Sequence, residues 1–115
     1  MNKIIQVINK MIDERDRINV MLKLGTDSSP MFLFYYKEYA WVIYYENDGY
    51  FLGFLGSTYE ISEDLYKSII PLMKIAYTSN QFKGQEALES FKELYQIVLE
   101  KSIGFDDVLD NLLKE

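Results

Sequence analysis

Carboxylates are the side chains of this sequence with the clearest capacity for chemistry, because the chain has 18 Asp and Glu residues but no cysteine and no histidine. Neighbouring carboxylates at Glu63–Asp64 and Asp106–Asp107 are of the type that binds Mg²⁺ or Ca²⁺. Each pair, however, begins a helical apolar pattern, where acidic side chains complement the helix dipole. No calcium-loop spacing accompanies them. We interpret both pairs as helix starts, and we expect no metal and no cofactor.

The missing residue types exclude most catalytic classes. Without histidine the chain lacks the commonest general base and the usual partner of a serine nucleophile. Without cysteine it lacks a thiolate nucleophile and a disulfide framework. Gly49, Gly53 and Gly56 lie in and after a hairpin pattern and do not open a helix, so they form no dinucleotide-binding loop. We therefore expect that the protein is not an enzyme.

The first half of the chain predicts one helix followed by strands. An apolar stripe at helical spacing predicts an amphipathic helix over 3–14. Alternation after residue 16 predicts a strand whose even positions face inward, namely Ile18, Val20, Leu22 and Leu24. Further strands are predicted at 31–36, 40–45 and 50–55. In the motif Asn47-Asp48-Gly49, the Asp-Gly pair is expected to supply the positive φ angles of a hairpin turn.

The second half is predicted to be helical. Ser62 stands as an N-cap before Glu63 and Asp64. A helix kinked at Pro71 is predicted to continue through Leu65, Ile69, Leu72, Met73 and Ala76. Two more helices are predicted over 85–102 and 105–114, with Gly104 as the cap between them. The predicted class is α+β in a single domain, 1–115: an N-terminal helix, an antiparallel three- to four-stranded meander, then two or three helices packed on the sheet.

Aromatic residues are concentrated in the strands, with 12 of the chain's 18 between Phe32 and Tyr59. Neighbouring strand residues face opposite sides, so aromatic side chains are expected on both faces of the sheet. One hypothesis covers one face with helices and leaves tyrosines, together with Trp41, in the open as binding anchors. The alternatives are a sheet covered by helices on both faces, or aromatics that simply reflect high β propensity.

Acidic charge is concentrated beyond residue 45 in a chain whose formal net charge is −6. Between residues 46 and 64 there is no Lys or Arg, and the acids there are Glu46, Asp48, Glu60, Glu63 and Asp64. One hypothesis is a negative patch that enters a positively charged groove of a partner, where carboxylates take the place of phosphates toward Arg and Lys. The alternative is a solvated surface that aids solubility.

Hydropathy and net charge narrow the cellular location and the kinds of partner that we expect. No apolar run is long enough to span a membrane, and the beginning of the chain lacks the apolar core of a signal peptide. We therefore expect a cytoplasmic protein without a membrane partner. The negative balance disfavours direct binding to nucleic acid, which requires basic residues to neutralise phosphates. A homo-oligomer that buries the aromatic face is compatible with the sequence.

Three short segments resemble the small acidic Cas9-inhibiting anti-CRISPR proteins of phages. They are Met1-Asn2 with Ile5 and Ile8, Lys23-Leu24-Gly25-Thr26-Asp27-Ser28, and Asn47-Asp48-Gly49. The resemblance implies a DNA mimic that blocks the site where the nuclease reads its target-adjacent motif. It matches Asn47 and Asp48 with hairpin-tip residues that face the nuclease's arginines. Tyr50 and Phe51 stand where that family has acidic and Asn residues.

The expected function is therefore a non-enzymatic acidic inhibitor from a phage or mobile element, acting on a basic nuclease or another nucleic-acid-binding protein. The expected partner-binding residues are Trp41, Glu46, Asn47, Asp48, Tyr50, Glu60, Glu63 and Asp64. Two alternatives remain open: an immunity protein or antitoxin that neutralises a basic toxin, and an enzyme or small ligand-binding domain that uses carboxylates and tyrosines in a pocket between sheet and helices.

Overall fold

The computed structural model describes residues 2–57 and 73–114. Within them the elements follow in the order α1 (Lys3–Asp13), β1 (Ile18–Thr26), β2 (Ser29–Tyr36), β3 (Tyr39–Glu46), β4 (Gly49–Ser57), β5 (Ile75–Thr78), α2 (Gln85–Ser102) and α3 (Phe105–Leu113). Short 3₁₀ turns at Arg15–Arg17 and Ser79–Gln81 precede β1 and follow β5. The α+β class is confirmed, and the predicted helices over 85–102 and 105–114 are present.

The strands form an antiparallel meander in the order β1-β2-β3-β4-β5, in which each strand pairs with the next along the chain. The fifth strand corrects the sequence-based prediction of a helix through Met73 and Ala76. Ala76 lies in β5, paired with Gly53 of β4, and Met73 precedes the strand. Pairing with β4 outweighs the helical spacing of these residues. The other residues of that predicted helix lie outside the described part of the chain.

The first apolar core lies between one face of the sheet and the helices α1 and α2. Each helix contributes one apolar stripe, and the strands contribute alternate residues. The fully buried members include Ile8, Met11, Phe32, Phe34, Ile43, Leu52, Phe91, Leu94 and Val98. Asn2 caps α1 by accepting a 2.9 Å hydrogen bond from the Ile4 N–H, which fixes the start of the helix over this core.

The opposite face of the sheet is buried as well. Its own cluster contains Leu33, Ala40, Val42, Tyr44 and Leu55. Strands β2 and β3 carry apolar residues at nearly every position, which is typical of strands buried on both faces. The hypothesis of an open aromatic face is therefore wrong, because both faces of the sheet carry a buried cluster. Among the described residues, α1 and α2 cover the first of these faces.

Trp41 requires a second correction. It faces the helices, is only 9% exposed, and packs with its ring centroid 5.0 Å from that of Phe54. Its indole therefore stabilises the first core and is not an exposed anchor for a partner.

A β-bulge in β1 changes which of its residues face each core. Val20 and Leu22 pair with consecutive residues of β2, so Met21 is an extra residue in the strand. Ile18 and Val20 therefore face the helices, whereas Leu22 and Leu24 pack in the second cluster. The prediction that all even positions share one inward face is wrong, because the inserted residue reverses the alternation.

The end of α1 is tied to β2 through a hydrogen bond from the Tyr36 hydroxyl to the Glu14 carboxylate. Lys37 and Arg17 place their cationic groups 3.8 and 3.7 Å from the same carboxylate. The hydrogen bond from Tyr36 lowers the pKa of Glu14, and the cations lower it further. Burial, followed by the bond to Glu14, raises the pKa of Tyr36 to about 12.

Replacing Tyr36 with Phe tests this contact through its pH dependence. Because the folded pKa of Tyr36 lies above the unfolded value of 10.0, its stabilisation is present below pH 10 and is lost as the pH approaches about 12. At neutral pH we expect Tyr36→Phe to lower the free energy of unfolding by about 1–3 kcal/mol. Urea unfolding should show this difference shrinking between pH 10 and about 12. A difference that stays constant over that range would contradict the assignment.

Candidate partner-binding site

The meander places two turns at the same end of the sheet. The β1–β2 turn carries Asp27, and the β3–β4 turn carries Asn47 and Asp48, with Glu46 at the end of β3. All four are exposed. Lys23 forms a 3.0 Å ion pair with Asp27, so Glu46 and Asp48 contribute most of the unneutralised charge. We call this surface, comprising Asp27, Glu46, Asn47 and Asp48, the acidic end.

The β3–β4 turn is centred on Asn47 and Asp48. Their φ angles are +51° and +62°, and Glu46 pairs with Gly49 across the ladder. Positive φ at both central residues defines a type I′ turn, which Asn and Asp tolerate better than other non-glycine residues. The prediction that Asp-Gly supplies these angles is therefore wrong by one residue.

Gly49 serves a different purpose from the predicted one. A Cβ at this position would lie 2.6 Å from the Asn80 side-chain nitrogen and 3.3 Å from the Thr78 hydroxyl. The glycine therefore permits close contact between the hairpin and the segment that follows β5.

The 3₁₀ turn after β5 holds the hairpin in place. The Tyr50 N–H donates a 3.1 Å hydrogen bond to the buried Ser79 hydroxyl. Thr78 and Gln81 form a capping box, in which the Thr78 N–H donates to the Gln81 side-chain oxygen over 2.6 Å. The acidic end is thus attached to packed structure and held in a defined position.

A groove of about 320 Å³ opens between the hairpin and the first turns of α2. It is lined by Tyr45, Asp48, Tyr50, Gln85, Leu88, Glu89 and Lys92. The rings of Tyr45 and Tyr50 meet edge to face at 4.8 Å, and Tyr50 packs 5.4 Å from Tyr95. Tyr45 is 41% exposed, so part of its ring is open to a ligand.

The electrostatics of the groove favour a cationic ligand. The Tyr45 hydroxyl donates to the Asp48 carboxylate over 3.4 Å. Partial burial, followed by the Asp48 charge, raises the pKa of Tyr45. Carboxylates of Asp48 and Glu89 beside tyrosine rings suit a guanidinium, which pairs with the former and stacks on the latter. Lys92 lies on the α2 side of the groove and is the cationic residue among the described residues that line it.

The structure brings only part of the predicted site together. Glu46, Asn47 and Asp48 lie exposed at the tip, and Tyr50 lies half-buried in the groove. Trp41 is in the core, as described above. Glu60, Glu63 and Asp64 lie outside the described residues.

Sequence reasoning missed Tyr45, Glu89 and Lys92 as members of the site. Tyr45 had a detectable signal, because a turn centred on Asn47-Asp48 places Tyr45 directly opposite Tyr50. The two α2 residues had none, because their position depends on how the helix packs.

The described residues, 2–57 and 73–114, lack two further kinds of feature. Those residues contain no group of three or more Asp and Glu side chains arranged to hold a metal ion. They also contain no helix long and apolar enough to cross a membrane. No protein-family model, no curated protein and no solved structure matches this chain. The acidic end and its groove are therefore the features of this chain that point to a function.

Paired substitutions at Asp48 test the turn geometry. We expect Asp48→Gly to leave the free energy of unfolding unchanged or to raise it by up to about 1 kcal/mol, because glycine adopts positive φ without strain. We expect Asp48→Val to lower it by more than about 1 kcal/mol, since a β-branched residue is strained there. Urea unfolding at neutral pH measures both. Equal stabilities for the two variants would show that Asp48 does not require positive φ.

Proposed function

We propose that this chain is a non-enzymatic binding protein whose acidic end occupies the basic, nucleic-acid-binding surface of another protein. The observation that supports this most directly is the pair of exposed carboxylates, Glu46 and Asp48, on a hairpin held by the Ser79 contact. Arg and Lys side chains that bind phosphates also bind carboxylates, and Arg does so through the same bidentate geometry. The acidic end therefore offers a basic groove a substitute for a nucleic-acid backbone.

The two parts of the site have separate roles in this proposal. Exposed carboxylates attract a basic partner over several ångströms and raise the association rate, an effect that salt screens. Tyrosines in an adjacent groove supply short-range contact area at low entropic cost. In the complex, an Arg side chain of the partner lies in the groove, between the Tyr45 ring and the carboxylates of Asp48 and Glu89.

The resemblance to Cas9-inhibiting anti-CRISPR proteins gives the most specific form of the proposal. In that form, Asn47 and Asp48 face the arginines with which a Cas9-type nuclease reads its target-adjacent motif, and Glu46 adds charge beside them. A basic nuclease toxin presents the same Arg and Lys chemistry. An immunity protein would therefore use the same surface, and only the captured target separates the two forms.

Charge reversal at the hairpin tests the proposal directly. Tagged wild-type protein is incubated with host lysate at about 50 mM and about 500 mM salt, and captured proteins are identified by mass spectrometry. We expect capture of a basic nucleic-acid-binding protein at low salt, loss of it at high salt, and displacement by an excess of duplex DNA. The double variant Glu46→Lys/Asp48→Lys should capture none of it.

Glu38→Lys is the matched control for this experiment. Glu38 is also an exposed turn carboxylate, but it lies at the opposite end of the sheet. The control should therefore capture the partner as the wild type does. Equal capture by the wild type and the double variant, or a partner that DNA does not displace, would refute the proposal.

The tyrosine groove predicts a second effect, measurable on the captured partner. We expect Tyr45→Ala to weaken the affinity at least about tenfold, mainly by faster dissociation, because it removes aromatic contact area at the site. Tyr39 is 49% exposed at the opposite end of β3, so Tyr39→Ala is the matched control and should change the affinity less than about twofold. Surface plasmon resonance separates the rates. A slower association for Tyr45→Ala with unchanged dissociation would contradict the anchoring role.

A further inference from the structure

Helix α3 exposes an apolar face. Its apolar residues follow an unbroken helical stripe at positions i, i+3, i+4, i+7 and i+8, namely Phe105, Val108, Leu109, Leu112 and Leu113. No residue of α3 is buried, and the exposed fraction rises from 38% at Phe105 to 84% at Leu113. Ile103, 59% exposed just before the helix, extends the patch. We call these five helical residues the α3 stripe.

The other two helices that the structure describes bury their apolar stripes. Helix α2 carries the same kind of stripe, and its members Phe91, Leu94 and Val98 are fully buried against the sheet. A helix as short as α3 gains little stability in water without packing of its apolar face. Contiguous apolar patches rimmed by polar residues mark sites where another surface binds. The α3 stripe therefore has the composition of one half of a helix–helix interface.

The polar residues beside the stripe indicate the chemistry of the occupant. Asp106 and Asp110 are one helical turn apart and follow one edge of the stripe, whereas the uncharged Asn111 follows the other. Asp107 and Lys114 lie on the far side of the helix. An occupant thus meets apolar side chains with two carboxylates on one edge. Asp106 also lines a groove that holds Arg15 and Lys101, in which the acidic residues Asp16, Glu100, Asp106 and Asp107 outnumber these two cations.

This arrangement disfavours two of the possible occupants. In an antiparallel two-fold pairing of α3 with the α3 of a second copy, like edges of the stripe meet, so the Asp106 and Asp110 carboxylates of both copies face each other. In a parallel two-fold pairing the acidic edge meets the uncharged Asn111 edge, so neither arrangement gives the carboxylates a cationic partner. An anionic membrane surface would repel the same carboxylates. A helix with Lys or Arg beside its apolar stripe can pack on the apolar face of α3 and form ion pairs with the acidic edge.

We propose that α3 is the docking surface for an amphipathic helix of a partner protein, one that carries Lys or Arg along the edge of its apolar stripe. The packing is helix against helix, with leucines of the α3 stripe between apolar side chains of the partner. Asp106 and Asp110 fix the register through ion pairs. The proposal does not depend on the acidic end, which lies near the start of α2 while α3 follows its end.

The test uses the full chain and a defined peptide as the probe. A fluorescently labelled peptide of about 18 leucine and lysine residues, with leucine at helical spacing, is titrated with protein and followed by anisotropy. We expect Leu109→Asp/Leu112→Asp to weaken binding at least about tenfold. Both positions are exposed, so circular dichroism should show an intact fold. Asp106→Asn/Asp110→Asn should weaken binding severalfold and reduce its salt dependence.

Three controls make the test decisive. Met21 is an apolar residue that is 54% exposed outside α3, and Met21→Asp should leave binding unchanged. A scrambled peptide of the same composition and a leucine–glutamate peptide of the same spacing should both bind more weakly. The proposal would be overturned if Leu109→Asp/Leu112→Asp bound the peptide as tightly as the wild type does. It would also be overturned if the wild type bound the scrambled leucine–lysine peptide as tightly as the one with helical spacing. Self-association of the protein that Leu112→Asp abolishes would also overturn it, in favour of a second copy.

Discussion

Burial of the central strands on both faces is the constraint on which the rest of the structure depends. In β3, Ile43 faces the helices while Val42 faces the second cluster, and both are completely buried. A shift of register by one residue would exchange the two faces and disrupt both cores. The pairing of β3 with β4 is therefore fixed along its length, and it places Tyr45 opposite Tyr50 and leaves Asn47 and Asp48 as the turn. The geometry of the acidic end thus follows from packing in the middle of the sheet.

Two β-bulges, in β1 and β4, let these strands bury side chains on both faces where their residues do not alternate regularly. The extra residue Met21 in β1 moves Leu22 and Leu24 to the second cluster after Ile18 and Val20 have packed under the helices. A comparable shift between Ala40 and Trp41 makes Leu55 the extra residue of β4. Each bulge also increases the local twist and interrupts regular pairing. In β1, an edge strand, such a bulge hinders the addition of a further strand from another molecule.

The sequence predicted the elements whose periodicity is local and failed where the outcome depends on tertiary contacts. The stripes of α1, α2 and α3 and the first four strands can be recognised from spacing alone. The strand at Ile75–Thr78 cannot, because it is short and is stabilised by its pairing with β4. A tryptophan in a strand is expected both in a core and in a binding patch, so its residue type does not tell whether Trp41 is buried. Its burial depends on which face of β3 packs against the helices. The hairpin-tip acids were predicted because turn chemistry is local, whereas Glu89 reaches the groove through helix packing.

The acidic end and the α3 stripe differ in the kind of interaction that each can form, electrostatic at the acidic end and hydrophobic at the α3 stripe. They lie near opposite ends of α2, whose 18 residues span about 27 Å. Carboxylates on a turn act at a distance and lose their effect as salt increases, so in the proposed complex they set the association rate of the basic partner. Exposed leucines act only at contact and are insensitive to screening, so in the proposed docking they set the dissociation rate of the partner helix. Because α2 is packed against the sheet along its buried face, the distance from the acidic end to the end of α2, where α3 begins, is set by the fold. A partner that engages both must therefore present its basic groove and its amphipathic helix at a matching separation, and this geometric requirement adds selectivity that neither surface provides alone.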